Sequence, residues 1–257
     1  MKISQGDVFR RREQLIERLH QKEHLTVSEL ADYFNVSAVT IRRDLLFLEK
    51  KKMIERFYGG VKLVSSQQVK RTEKAEKSSF PVAAFIEKLS PFLENRLQLF
   101  VGAGVFSTEI IHALSVFDVT ILTNDAAALS IDHPKQKALI SVSGGELEKN
   151  TQALVGDFAT HSFNKVEADL CIIEAAGFNT HEVTTKTLNE SFVYRTMIQH
   201  TKGPKIVYTP ASNLETVSSF MIDRTFLFDI LYTDASIPAS LLSNYQSQSI
   251  TVDVLNE

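Results

Sequence analysis

Apolar residues recur at two different periods along the chain, and the change divides it. In the first fifty residues they stand three or four apart. Val8, Leu15, Ile16 and Leu19 predict a helix over 8–21, followed by a polar connector reaching Leu25. Val27, Leu30, Ala31 and Phe34 share one face of a second, shorter helix over 27–34. Thr26-Val-Ser-Glu29 in front of it is a capping box: the threonine side chain accepts from the amide three residues on and Glu29 reaches back. Asn35-Val36 makes the turn, and Ser37 is a natural N-cap for a third helix from Ala38 to about Lys50. That helix is expected to bury Val39, Leu45, Leu46 and Leu48, with Ile41 partly inside. Thr40, Arg42, Arg43 and the run Lys50-Lys51-Lys52 are expected outside.

Two short helices joined by a tight turn, the second with Thr and Arg near its start, describe a helix-turn-helix. Ser37 and the adjoining helix amides suit a phosphate. Thr40 and Arg43 lie three apart on one face and reach base edges, and arginine forks onto guanine. Arg42 points aside, to a phosphate or to Asp44. The segment Met53–Leu63 holds two short β-prone runs around Gly59-Gly60 and predicts a hairpin wing. Its Arg56, Tyr58 and Lys62 suit phosphate contacts, although the hairpin would serve equally to close the small core. The segment from Ser65 to Phe80 is polar, charged and without sustained period, which marks a linker between a head over 1–64 and a body over 81–257.

In the body the period changes. A helical pattern over 81–93 precedes short apolar runs at 97–101, 119–122, 138–142, 170–173, 205–208 and 230–232. Helices are predicted between them at 107–114 and 189–200. Strand–helix alternation argues an α/β domain with a mostly parallel sheet. Each run ends in small or polar residues, and ligands in such sheets sit beyond the strand C-termini. Gly102-Ala-Gly104 before Ser107 and Thr108 is suited to cradling a phosphate through its amides; it is equally suited to a tight packing turn.

Composition narrows the classes. The 257 residues are 44% hydrophobic and 23% charged, ordinary for a globular chain with one or two cores. Net charge is −3, but unevenly placed. Residues 1–64 carry 13 Lys and Arg against 9 Asp and Glu, and the remainder 15 against 22. A basic head on an acidic body favours a polyanionic partner for the head. The single cysteine, Cys171, lies in an apolar run; it excludes an internal disulfide and fits a reducing cytoplasm. No apolar run is long enough for a membrane span, and the polar N-terminus has no signal-peptide core. No metal site is expected: His20 and His24 stand four apart across a helix end without further ligands. No cofactor motif, P-loop or Ser-His-Asp pattern is present.

The head resembles the DNA-binding domain of DeoR-family bacterial transcription regulators. The residues that carry the likeness are Val36-Ser37, Thr40-Ile-Arg-Arg-Asp-Leu45, Leu48-Glu49 and Arg56 with Gly59-Gly60. The resemblance implies a winged helix-turn-helix that binds double-stranded operator DNA as a homo-oligomer, dimer or tetramer. The body is similar to the same family's sensor domain around Gly104, Thr123-Asn124, Ser143–Glu146, Leu154–Gly156 and Tyr232–Ala235. That likeness implies a sugar-phosphate-isomerase-like fold and an effector pocket for a phosphorylated sugar. Gly102, Gly104, Ser107, Thr108, Asn124, Gly144, Gly145, Glu174 and Arg195 are the residues expected to form it.

Departures from the family pattern fall at the expected pocket. Where the family has Asp-x-Gly-Thr-Thr, this chain has Gly102-Ala-Gly-Val-Phe106. Glu148-Lys149 replaces an arginine, and Thr184-Thr-Lys-Thr-Leu188 replaces Thr-Thr-Pro-Asn-Glu. Tyr194-Arg195 replaces Lys-Arg, and the late loop Thr209–Glu215 has no lysine. The expectation is a non-enzymatic repressor of a carbohydrate operon, tuned by a phosphorylated sugar or related metabolite. The alternatives are a regulator whose body serves only oligomerisation, and an isomerase-like enzyme.

Overall fold

A computed structural model describes residues 5–22, 24–50, 53–57, 60–63, 80–93, 96–148, 151–247 and 250–256. The chain forms two compact units, Met1–Val69 and Lys70–Glu257. The expected linker, apart from Phe80, lies outside the described residues.

The first unit contains α1 (Gln5–Gln21), α2 (Val27–Phe34), α3 (Ala38–Lys50), β1 (Ile54–Phe57) and β2 (Gly60–Leu63). The Thr26 capping box is formed in both directions. Asn35 turns the chain at φ 49°, a left-handed conformation that asparagine tolerates. β1 and β2 pair antiparallel, Ile54 opposite Leu63. Leu15, Ile16, Leu19, Leu30, Ile41, Leu45, Leu48 and Val61 make the core. This corrects two assignments on α3. Val39 and Leu46 are 64% and 55% exposed, whereas Ile41 is fully buried. The inward face runs 41–45–48, one residue out of step with the expected one, and it carries Asp44 inside as well.

The second unit begins with α4 (Val82–Leu89), β3 (Gln98–Val101), α5 (Ser107–Leu114), β4 (Thr120–Thr123) and β5 (Leu139–Val142). A small hairpin, β6 (Glu146–Leu147) with β7 (Leu154–Val155), leads into α6 (Gly156–Phe163) and β8 (Leu170–Glu174). Next come β9 (Gly177–Phe178), β10 (Glu182–Thr185), α7 (Leu188–Gln199), β11 (Lys205–Tyr208) and β12 (Phe220–Arg224). β13 (Ile230–Asp234), α8 (Ala239–Gln246) and β14 (Thr251–Leu255) complete it. Seven strands form one parallel sheet in the order β14-β13-β11-β8-β3-β4-β5. A second, antiparallel sheet is ordered β12-β10-β9.

Alternate residues of the central strands feed two cores, as the two-residue strand period requires. Leu99, Val101, Ile172 and Ile206 pack with Phe85, Ile110 and Leu114 on one side. Phe100, Cys171, Ile173 and Val207 pack with Phe163, Val193 and Met197 on the other. α7 is buried from Leu188 to Ile198, its polar residues included. Two of them bond within the helix, Ser191 Oγ to the Leu188 carbonyl and Thr196 Oγ1 to that of Phe192.

Candidate nucleic-acid interface and effector pocket

At the start of α3 the Ser37 Oγ accepts from the Thr40 amide at 3.2 Å, so the expected N-cap is made. It also shares a hydrogen bond with Thr40 Oγ1 at 2.9 Å. Asp44, on the inward face, receives Arg11 Nε on Oδ2 at 2.7 Å and Arg12 Nε on Oδ1 at 2.9 Å. Two guanidinium groups from α1 thus hold the middle of α3 through one carboxylate. This corrects the expected pairing of Arg42 with Asp44. Arg42 and Arg43 are exposed, with no hydrogen bond or ion pair among the described residues. At 100° per residue, Val39, Arg42, Arg43 and Leu46 share the outward face of α3. Val39 and Leu46 were missed because apolar type was taken for burial; the 41–45–48 spacing was the available signal.

On the hairpin, Arg56 Nε meets Glu49 Oε2 at 2.8 Å, and Lys62 Nζ meets Glu55 Oε2 at 3.2 Å. Such exposed pairs contribute little, about 0–1 kcal/mol, and exchange readily for a phosphate. Tyr58 lies outside the described residues.

In the second unit the strand order reverses between β3 and β8, since β4 and β5 extend to one side of β3 and the later strands to the other. A crevice beyond the carboxyl ends of the strands is the expected ligand position at such a point. A cavity of about 190 Å³ lies there. Ala103, Gly104 and Val105 line it from the loop after β3, and Glu174 and Ala176 from the end of β8. Thr185 closes it from the end of β10, Lys186 from the turn after it, Glu190 and Tyr194 from α7, and Thr151 and Gln152 from the segment before β7. Thr151 Oγ1 is buried there without a hydrogen-bond partner among the described residues.

Of the nine residues expected at the pocket, Gly104 and Glu174 line it. Four others support it. Ser107 Oγ and Thr108 Oγ1 both bond Asp125 Oδ2, at 2.8 and 2.7 Å, which ties α5 to the end of β4. Asn124 Oδ1 accepts from the Ala103 amide at 2.8 Å, and its Nδ2 donates to the Leu154 carbonyl. Gly102 donates its amide to the Ile172 carbonyl of β8. Gly144 and Gly145 are absent from the lining and form the turn into β6. Gly145, at φ 117°, is confined to glycine because a Cβ would also strike the Val155 carbonyl. Arg195 is a correction: its Nε and Nη2 donate to the Ile222 and Met221 carbonyls, so it fastens α7 to β12 and does not line the cavity.

Burial raises the Glu174 carboxyl above the ordinary range, although bonds from the Phe106 amide and the Tyr208 hydroxyl pull the other way. Burial likewise pushes the Tyr194 and Tyr208 hydroxyls well above their usual value. The Tyr194 hydroxyl donates to the Ala103 carbonyl at 2.6 Å. The Thr187 capping box at the start of α7 holds Glu190, which also accepts from Thr185 Oγ1 at 2.8 Å. The cavity is therefore a mainly apolar slot with two carboxyl groups inside and an exposed lysine at its edge.

Family models match both units: a DeoR-like helix-turn-helix domain over residues 11–67 and a DeoR C terminal sensor domain over 86–235. The chain is 27% identical over 228 residues to the lactose phosphotransferase system repressor of Staphylococcus aureus (strain NCTC 8325 / PS 47), covering 83% of this chain and 91% of that one. It is 26% identical over 258 residues to the glycerol-3-phosphate regulon repressor of Escherichia coli (strain K12), covering 93% and 96%. An apo S-adenosylmethionine-dependent methyltransferase structure aligns over 78% of this chain and 76% of its own at 11% identity. Its TM-score of 0.25 is too low for a shared fold. With both units matched in order over most of its length, the chain belongs to the DeoR family of transcriptional regulators.

Proposed function

We propose that this chain is a sequence-specific repressor of a carbohydrate operon whose hold on DNA is tuned by a small carbohydrate-derived metabolite. The observation that carries the DNA half is the outward face of α3. It presents two arginines, unpaired among the described residues, beside two exposed aliphatic side chains, while the acidic residue in the middle of the helix is turned inward and neutralised. In the major groove Arg43 forks onto guanine, Thr40 bonds a base edge and Arg42 takes a phosphate or a neighbouring base. Ser37 and the wing cations Arg56 and Lys62 fix the helix on the backbone without reading sequence. Tyr58 is proposed to join them.

The body holds the effector at the strand-end cavity. Family resemblance implies a phosphorylated sugar there, and the Glu174 and Glu190 carboxyl groups on the lining favour a bound ligand over a body kept for assembly alone. The protein acts as a homo-oligomer in the cytoplasm, and the role of the cavity is recognition without turnover. Among the described residues no helix is long and apolar enough to cross a membrane.

The test is selection of bound duplexes from a randomised pool by the full-length protein. A two-fold repeated site is expected, with half-sites about one helical turn apart or a multiple of it. Recovery of no sequence preference would sink the proposal. Turnover of sugar phosphates by the purified protein would replace the sensor role with an enzymatic one.

A further inference from the structure

The loop from Gly102 to Phe106 has the form that receives an anion, a run of amides between a strand and a helix. Each amide with a resolved bond is already taken by the protein. Gly102 donates to the Ile172 carbonyl, Ala103 to Asn124 Oδ1, and Gly104 to Ser107 Oγ at 2.9 Å. Phe106, the last before α5, donates to Glu174 Oε2 at 3.2 Å. The same oxygen receives the Tyr208 hydroxyl at 3.0 Å. Loop and carboxylate are fitted to each other: a Cβ on Gly104 would collide with the Glu174 side chain. Glu174 comes from β8, across the switch point, and reaches the loop where an external anion would sit.

Resting on the sensor reading above, we propose that the Glu174 carboxylate is a built-in occupant of this anion position, and that the cavity selects a phosphate-free, hydroxyl-rich ligand, a free sugar or polyol. The remaining lining agrees. A phosphate ester carries nearly two negative charges at neutral pH. Here it would face Glu174 and Glu190 with, among the described lining residues, Lys186 alone in compensation. Like charges placed together in an enclosed site discriminate strongly against a ligand. Neutral hydroxyls meet the opposite situation. Carboxylates accept from them. The cavity, of about 190 Å³, is on the scale of a small polyol or monosaccharide.

The experiment uses the full-length protein, with thermal unfolding and calorimetric titration as readouts. The probes are inorganic phosphate against chloride at equal ionic strength, and the matched pairs galactose with galactose 6-phosphate and glycerol with glycerol 3-phosphate. The native protein is expected to bind inorganic phosphate no more than the weak, exposed cations of the DNA-binding unit allow, and to bind no ester more tightly than its parent. Glu174→Ala uncovers the loop amides and is expected to gain phosphate binding, at least about tenfold tighter than the native chain. Glu174→Gln keeps the volume without the charge; it is expected to lose the discrimination against esters, and it decides the matter if the alanine variant does not fold. Equal phosphate affinity in the native protein and the folded alanine variant, or a native protein that binds an ester more tightly than its parent, overturns the proposal. Operator affinity is measured in the same samples. A sugar that stabilises the protein without changing DNA affinity defeats the sensor reading and leaves the role of Glu174 standing.

Discussion

Arg43 and Val39 carry different information because their chemistry differs. Arg43 donates a fork, so Arg43→Ala is expected to cost about 1–3 kcal/mol of discrimination at one guanine in competitive binding. Val39 offers only a methyl-bearing surface, 64% exposed. Its natural partner is a thymine methyl, so replacing thymine by uracil in the selected site should weaken the native protein and leave Val39→Ala unaffected. Equal losses in both proteins would refute that pairing. Lys62 should behave as neither: Lys62→Ala is expected to weaken all sequences alike and reduce the salt slope by about 0.9. The exposure of Arg43 was legible in the sequence because its charged type and its place on the helix agree. Val39 was not, because an apolar type names no environment until the helix face is known.

At the scale of elements, helix boundaries were the most legible feature, because local hydrogen bonds set them. Thr26 with Glu29 and Ser37 with Thr40 announce their helices within four residues. Less visible was the Arg11–Asp44–Arg12 cluster, whose partners stand more than thirty residues apart. Asp44→Ala leaves two guanidinium groups against α3 without their carboxylate. A loss of about 3–5 kcal/mol is expected, read as a lowered unfolding transition of the DNA-binding unit by spectroscopy. DNA affinity should fall with it, because the recognition face loses its fixed angle. Wild-type stability in that variant would show the cluster to be dispensable. β14 and the β9-β10-β12 sheet escaped the pattern: their runs are short or alternating, and their partners are supplied by distant chain.

The whole molecule sets the protonation of its interior groups. Glu174 keeps its proton to higher pH folded than unfolded, because burial disfavours the charge. The folded state then binds more protons than the unfolded one as pH rises above about 4.3, so stability falls with pH until the folded carboxyl has ionised. Glu174→Gln should flatten that part of the stability profile, with denaturant midpoints across pH as the measure; an unchanged slope would count against it. Cys171, 1% exposed on β8, has its thiol pushed up to about 12 by burial. A thiol reagent should therefore label the native protein only at its unfolding rate. Rapid labelling at neutral pH would show that the central sheet opens readily.

Type and spacing along the chain were enough for the head's helices, the parallel α/β body and the family, because those depend on local periods and short motifs. Which face of α3 turns outward depended on packing against α1, which brings Arg11 and Arg12 onto Asp44. The pocket was decided in the same way. Ser107 and Thr108, next to the glycine loop in sequence, are drawn off by Asp125, and Arg195 by the carbonyls of β12. Thr151, Lys186 and Glu190 enter the lining from loops and a helix far along the chain. A ligand cavity at a switch point gathers side chains across strand order, and strand order is a property of the folded sheet alone.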